Sequence, residues 1–163
     1  MNFNHVYKAL KKASLEEARN IFSRNEKLAD TLTSWNWFQC IWVNPPLIQL
    51  CPQSVLDCFS SSFWSSLILE YPDEMLRYCD FETFDSLAWT LVAWRLGPRV
   101  EKQFEEWLNR DPNNTLRADD WSTILIAHPE YVKFCDITSL PDWIINAIVT
   151  EQPALAYLQL VLI

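Results

Sequence analysis

WSSLILEYPDEMLRYCDFETFDSLAW (Trp64–Trp89) and WSTILIAHPEYVKFCDITSLPDW (Trp121–Trp143) decide the fold class. In each, a Trp is followed by a Pro eight positions on and then by a Cys, and Trp37, Pro45 and Cys51 repeat the pattern. The three Trp-to-Cys distances are 14, 15 and 14 residues. Trp64, Leu67 and Ile68 fall at i, i+3 and i+4, as do Trp121, Ile124 and Leu125, so each set forms one stripe on a helix. The proline suits the first turn of a second, shorter helix, where its missing N–H would go unpaired anyway. Asp73 and Glu74 after Pro72, and Glu130 after Pro129, suit the positive end of that helix. The closing Cys is expected to point inward. Ser62, and Asp119 or Asp120, are the expected N-caps of the two long helices.

Working outward, Trp89 to Pro98 has one extra residue and Trp143 to Pro153 has two, and neither stretch ends in Cys. These read as degenerate copies. The five Trp stand 27, 25, 32 and 22 residues apart. The longest interval holds another amphipathic helix, with Val100, Phe104, Trp107 and Leu108 on one face. Helices this short are marginal alone, and stacking lets neighbours bury each other's stripes. The expectation is an all-α fold of short helical hairpins stacked as an α-solenoid or compact helical array. The chain reads as one domain over residues 1–163, with capping helices in 1–33 and about five degenerate repeats in 34–163. In the cap region, a short helix is expected from His5 to Lys12. Ser14 and Glu17 match a capping box ahead of Leu15, Ala18, Ile21 and Phe22. Leu155 to Ile163 reads as a last packed helix or an exposed apolar end.

The two quoted segments resemble a short tandem repeat of uncharacterised bacterial proteins, patterned Trp, a Leu pair, Pro, Cys-Asp and a Leu before the next Trp. Cys79-Asp80 and Cys135-Asp136 match the Cys-Asp step, and Leu87 and Leu140 the Leu. The likeness does not extend to Gly97–Asp120 or to the N-terminal arm. It implies helical repeats and carries no established activity.

Composition narrows the function. Gly97 is the one glycine in 163 residues, so no GxGxxG, P-loop or nucleophile elbow can be written. From Met1 to Asp30 there are six Lys/Arg against four Asp/Glu; beyond, seven against seventeen. An acidic body disfavours direct nucleic-acid binding. The five Cys include no CxxC and the N-terminus lacks a secretory core, which points to a reducing cytoplasm and free thiols. No stretch approaches the roughly 18–20 apolar residues that span a membrane. No metal or cofactor is expected. Cys51 and Cys58 are too loosely spaced for zinc, and His5 and His128 are the only histidines. His128 reads as a turn or capping residue. The paired carboxylates sit at helix starts or on solvated faces, where the burial that catalysis requires is missing.

What remains is a binding surface. Glu70, Asp73, Glu74, Asp80, Glu82 and Asp85 are six acids within sixteen residues, broken only by Arg77. Trp35, Trp42 and Trp94 are not explained by the repeat, and Trp35 and Trp37 cannot share one helix face. Trp35 or Trp42 is the expected interface anchor. These features point to a non-catalytic protein-protein interaction module acting by occupancy on a partner with a basic surface. A small acidic inhibitor of the immunity-protein, antitoxin or phage anti-defence kind would fit. The alternative is a structural or oligomeric scaffold, or a fragment of a longer array, self-associating through the apolar C-terminus.

Overall fold

The computed structural model describes residues 3–25 and 27–162, with side chains through residue 159. The fold is all-α, and no strand forms among the described residues. The chain divides into two compact units, Met1–Asp80 and Phe81–Ile163, with the boundary inside the Trp64–Trp89 segment.

The first unit contains α1 (Phe3–Leu10), α2 (Leu15–Ser23), α3 (Leu28–Thr31), α4 (Ser34–Val43), α5 (Gln53–Leu56), α6 (Ser61–Glu70) and α7 (Pro72–Met75). A 3-10 segment, Pro45–Leu50, follows α4 and packs against α2, α4 and α7. The capping box opens α2 as expected: Glu17 N–H donates to Ser14 Oγ (3.2 Å) and Ser14 N–H to Glu17 Oε2 (2.7 Å). Trp37, Cys40 and Ile41 of α4 and Trp64, Leu67 and Ile68 of α6 are fully buried or nearly so. Trp37 stacks on Phe22 and donates its indole N–H to the Ala29 carbonyl.

The second unit contains α8 (Ser86–Leu96), α9 (Glu101–Arg110), α10 (Ala118–Ala127) and α11 (Asp142–Glu151). α10 packs against both α8 and α11, and a 3-10 segment, Pro153–Leu162, covers α11. Leu155 and Leu158 of that segment are buried and Tyr157 is exposed. Ile163 lies outside the described residues. The core is aromatic. Trp89 touches the rings of Phe81, Phe84, Phe104 and Trp107, and Phe104 in turn meets Trp121 and Tyr131.

The eight-residue Trp–Pro spacing now has a physical meaning. Trp37, Trp64, Trp89 and Trp121 each stand fourth in their helix, three residues past the first, where the side chain faces the core. α4, α6, α10 and α11 have 10 residues and α8 has 11, which explains the one-residue-longer spacing from Trp89 to Pro98. The fifth indole is a correction. Trp143 is second in α11 and 64% exposed, and the fourth position belongs to Ile145, fully buried and eight residues before Pro153. Two N-caps also differ from expectation. Ser60 rather than Ser62 caps α6, accepting from Phe63 N–H. α10 is capped from Arg117, with Asp120 at the third helical position accepting the Arg117 N–H.

Four of the long helices, α4, α6, α10 and α11, end against proline in nearly one conformation, which α8 and α9 do not share. Asn44, Tyr71, His128 and Gln152, each directly before a Pro, have φ/ψ of −147/81, −130/61, −137/80 and −127/79. Proline disfavours the α region for its predecessor, so the helix must stop there. The side chains of these four residues then reach back to backbone carbonyls at or just beyond the ends of earlier helices. Asn44 donates to the carbonyl of Leu10, the last residue of α1, and to that of Ala13 in the loop beyond it. Tyr71 donates to Trp42, His128 Nε2 lies 3.0 Å from the Trp94 carbonyl oxygen, and Gln152 donates to Ile126. Trp42, Trp94 and Ile126 are all ninth in their helices.

Candidate functional site

α4 carries more apolar surface than one core can cover. Its inner face is Trp37, Cys40 and Ile41; Trp35, Phe38 and Trp42, at i, i+3 and i+7, form a second aromatic face. Trp35 is 51% exposed and Trp42 38% exposed, so both expected anchors face solvent. Their rings form a connected row. Trp35 stacks on Phe38 (5.4 Å between centroids), Phe38 on Phe63 (4.5 Å), and Phe38 meets Trp42 at 5.8 Å. Trp42 meets Tyr71 edge-on at 6.1 Å. A shallow groove of about 320 Å³ runs along the row, lined by Tyr7, Trp35, Phe38, Gln39, Trp42 and Ser66. Rigid rings held against one another lose little entropy on binding, which is the property of a good anchor.

One end of the row is acidic. The Tyr71 hydroxyl is raised above its ordinary pKa by burial and then by the carboxylates of Glu70 and Glu74. Those two acids therefore stand within electrostatic reach of the Trp42–Tyr71 corner. Glu70 ends α6, Asp73 and Glu74 lie in the first turn of α7, and Asp80 closes the first unit. Glu82 and Asp85 belong to the second unit and have structural work. Glu82 pairs with Arg110 at 3.6 Å, and Asp85 caps α8 through the Ala88 N–H at 2.8 Å. The six acids are thus neighbours in sequence, with Glu70 and Glu74 the pair whose charge reaches the Tyr71 hydroxyl.

A stripe that was not assembled from the sequence, although Trp94 and Leu87 were each noted singly, lies on α8. Leu87, Leu91 and Trp94 are 61%, 38% and 46% exposed, at i, i+4 and i+7. Its signal was present: a second Trp five residues after the core Trp occurs in both α4 (Trp37, Trp42) and α8 (Trp89, Trp94).

Elsewhere, charged groups are already engaged. A cleft of about 610 Å³ in the second unit is lined by Glu105, Trp121, Lys133 and Asp136 among others. There Lys133 pairs with Glu101 at 2.5 Å, and Asp136 accepts from Thr138 N–H and Oγ1. Among the described residues no group of three or more His, Cys, Asp or Glu side chains could hold a metal ion. No helix there is long and apolar enough to cross a membrane.

All five cysteines are free thiols. Burial pushes Cys40 up to about 11 and Cys51 and Cys135 up to about 12, and raises Cys79 further. Ellman's reagent at neutral pH is expected to label the exposed Cys58 promptly and the other four only after unfolding. The same shifts fix an alkaline limit. Below the ordinary thiol value of 9.0 both states keep their protons and stability is unaffected. Above it the unfolded chain ionises while the folded chain does not, so stability falls as pH rises. Urea midpoints at pH 7 and 10 check this; an unchanged midpoint would contradict the burial of the thiols.

No family model, no curated protein and no solved structure matches the chain.

Proposed function

We propose that the chain is a non-catalytic protein-binding module built as an array of stacked helical hairpins. The observation that carries this reading is the aromatic row Trp35–Phe38–Trp42, held half-exposed on a helix whose other face is buried. Support for the stacked array comes from the pre-proline residues, three of which reach the ninth carbonyl of an earlier long helix in their unit, α9 being skipped in the case of His128. The repeat likeness of Trp64–Trp89 and Trp121–Trp143 belongs to the same proposal.

The partner is a protein segment with apolar and cationic side chains. The row takes the apolar part, and Glu70 and Glu74 beside Tyr71 take the cation, with the ring faces adding cation–π attraction. The mechanism is occupancy: a small acidic body covers a basic functional surface, as an inhibitor does. Charge steers the encounter and the indoles hold the complex.

The test is quantitative capture from the native cell by wild-type chain, Trp35→Ala/Trp42→Ala, and Glu70→Gln/Glu74→Gln. Trp anchors at hot spots contribute at least about 2 kcal/mol, roughly thirty-fold in affinity. A partner lost with the indoles, and bound more slowly and with less salt dependence without the acids, is the expected result. Equal capture by the double-Trp variant would remove the proposal.

A further inference from the structure

The exposed stripe on α8 shares the two end positions of the α4 row, while its middle residue stands one position later. Counting from the first residue of each helix, Trp35 and Leu87 are second and Trp42 and Trp94 ninth, with Phe38 fifth in α4 and Leu91 sixth in α8, where the fifth residue, Thr90, is buried. The surroundings of the ninth position match as well. In the first unit Tyr71, the residue before Pro72, bonds the Trp42 carbonyl, with Glu74 two residues past that proline. In the second unit His128, the residue before Pro129, bonds the Trp94 carbonyl, and Glu130 Oε1 lies 3.3 Å from His128 Nδ1. Each unit therefore presents an exposed indole, a polar ring fixed on its carbonyl, and a carboxylate beside that ring.

We infer that α8 carries a second docking face for the same class of segment, an amphipathic helix with Leu and Arg on one side. The inference rests on the reading of α4 given above. Contacts at i, i+4 and i+7 match the spacing that a partner helix offers from its own apolar face. The carboxylate of Glu130 selects a cation at the Trp94 end. Arg95, directly after Trp94, reduces the negative charge there, so this face binds more weakly than the first and with a shallower salt dependence.

Calorimetric titration of the full chain with a synthetic Leu/Arg amphipathic helical peptide tests it. Two sites per chain are expected, the stronger lost in Trp42→Ala and the weaker in Trp94→Ala. Leu87→Ser/Leu91→Ser should also remove the weaker site, and both residues are exposed, so the fold does not depend on them. One site, abolished by Trp42→Ala and untouched by the α8 variants, overturns the second face and leaves the first reading standing. No binding at all overturns both.

Discussion

Trp89→Ala is expected to destabilise the second unit by about 3–5 kcal/mol, the range for removing a large aromatic from a packed core. Trp143→Ala is expected to change stability by less than about 0.5 kcal/mol, as surface substitutions do. Both indoles come from segments of the same pattern, yet Trp89 is fully buried and Trp143 is 64% exposed. Trp89 meets the rings of Phe81, Phe84, Phe104 and Trp107 at 5.1–5.9 Å between centroids, so truncation removes the ring that all four share. Its indole N–H is buried with no acceptor, and Trp64 shares that condition. Trp89→Phe should therefore cost much less than Trp89→Ala, because it keeps a ring while deleting an unsatisfied donor. Urea unfolding followed by near-ultraviolet circular dichroism reports all three variants. Equal losses for Trp89→Ala and Trp143→Ala would mean that the helices are not in this register.

The contrast shows what a linear pattern conveys. Apolar stripes at helical spacing and prolines eight residues beyond them follow from backbone chemistry, so helices ending before Pro45, Pro72 and Pro129 were legible. Which of two nearby apolar residues faces inward was not. Trp143 and Ile145 lie two apart on α11, and an indole draws the eye although the isoleucine holds the core position. Counting back eight from Pro153 would have chosen correctly. α4 posed the converse problem. Its two aromatic faces were separable on paper, but whether neighbouring elements cover the second face depends on contacts far away in sequence. The acids show a third limit. Glu70 and Glu74 straddle Tyr71 and Pro72 and so come beside the same ring, whereas Asp85 is drawn into a helix cap by the Ala88 N–H. Cap preference is a local rule; convergence on the Tyr71 ring is not.

Gly97→Ala is the substitution with the other large expected effect, about 3 kcal/mol or more of lost stability, and its origin can be divided. Gly97 has φ +46 and ψ −121, a backbone conformation that costs a side-chain-bearing residue about 1–3 kcal/mol. A methyl group there would also fall within the His128 ring. The ring would have to leave, breaking its bond to the Trp94 carbonyl, a loss of about 1 kcal/mol. The backbone cannot easily turn to help, since Tyr131 donates its buried hydroxyl to the Gly97 carbonyl at 2.8 Å. A double-mutant cycle with His128→Ala separates the parts. In that background Gly97→Ala should cost only the backbone strain, and the difference is the steric coupling to the imidazole. A cycle with no coupling would mean that the ring does not occupy the space a Cβ would take. The same displacement has a functional reading. His128 is the ring fixed on Trp94, so Gly97→Ala at temperatures where the chain is still folded should weaken peptide binding at the α8 face and spare the α4 face, where Tyr71 holds the corresponding place.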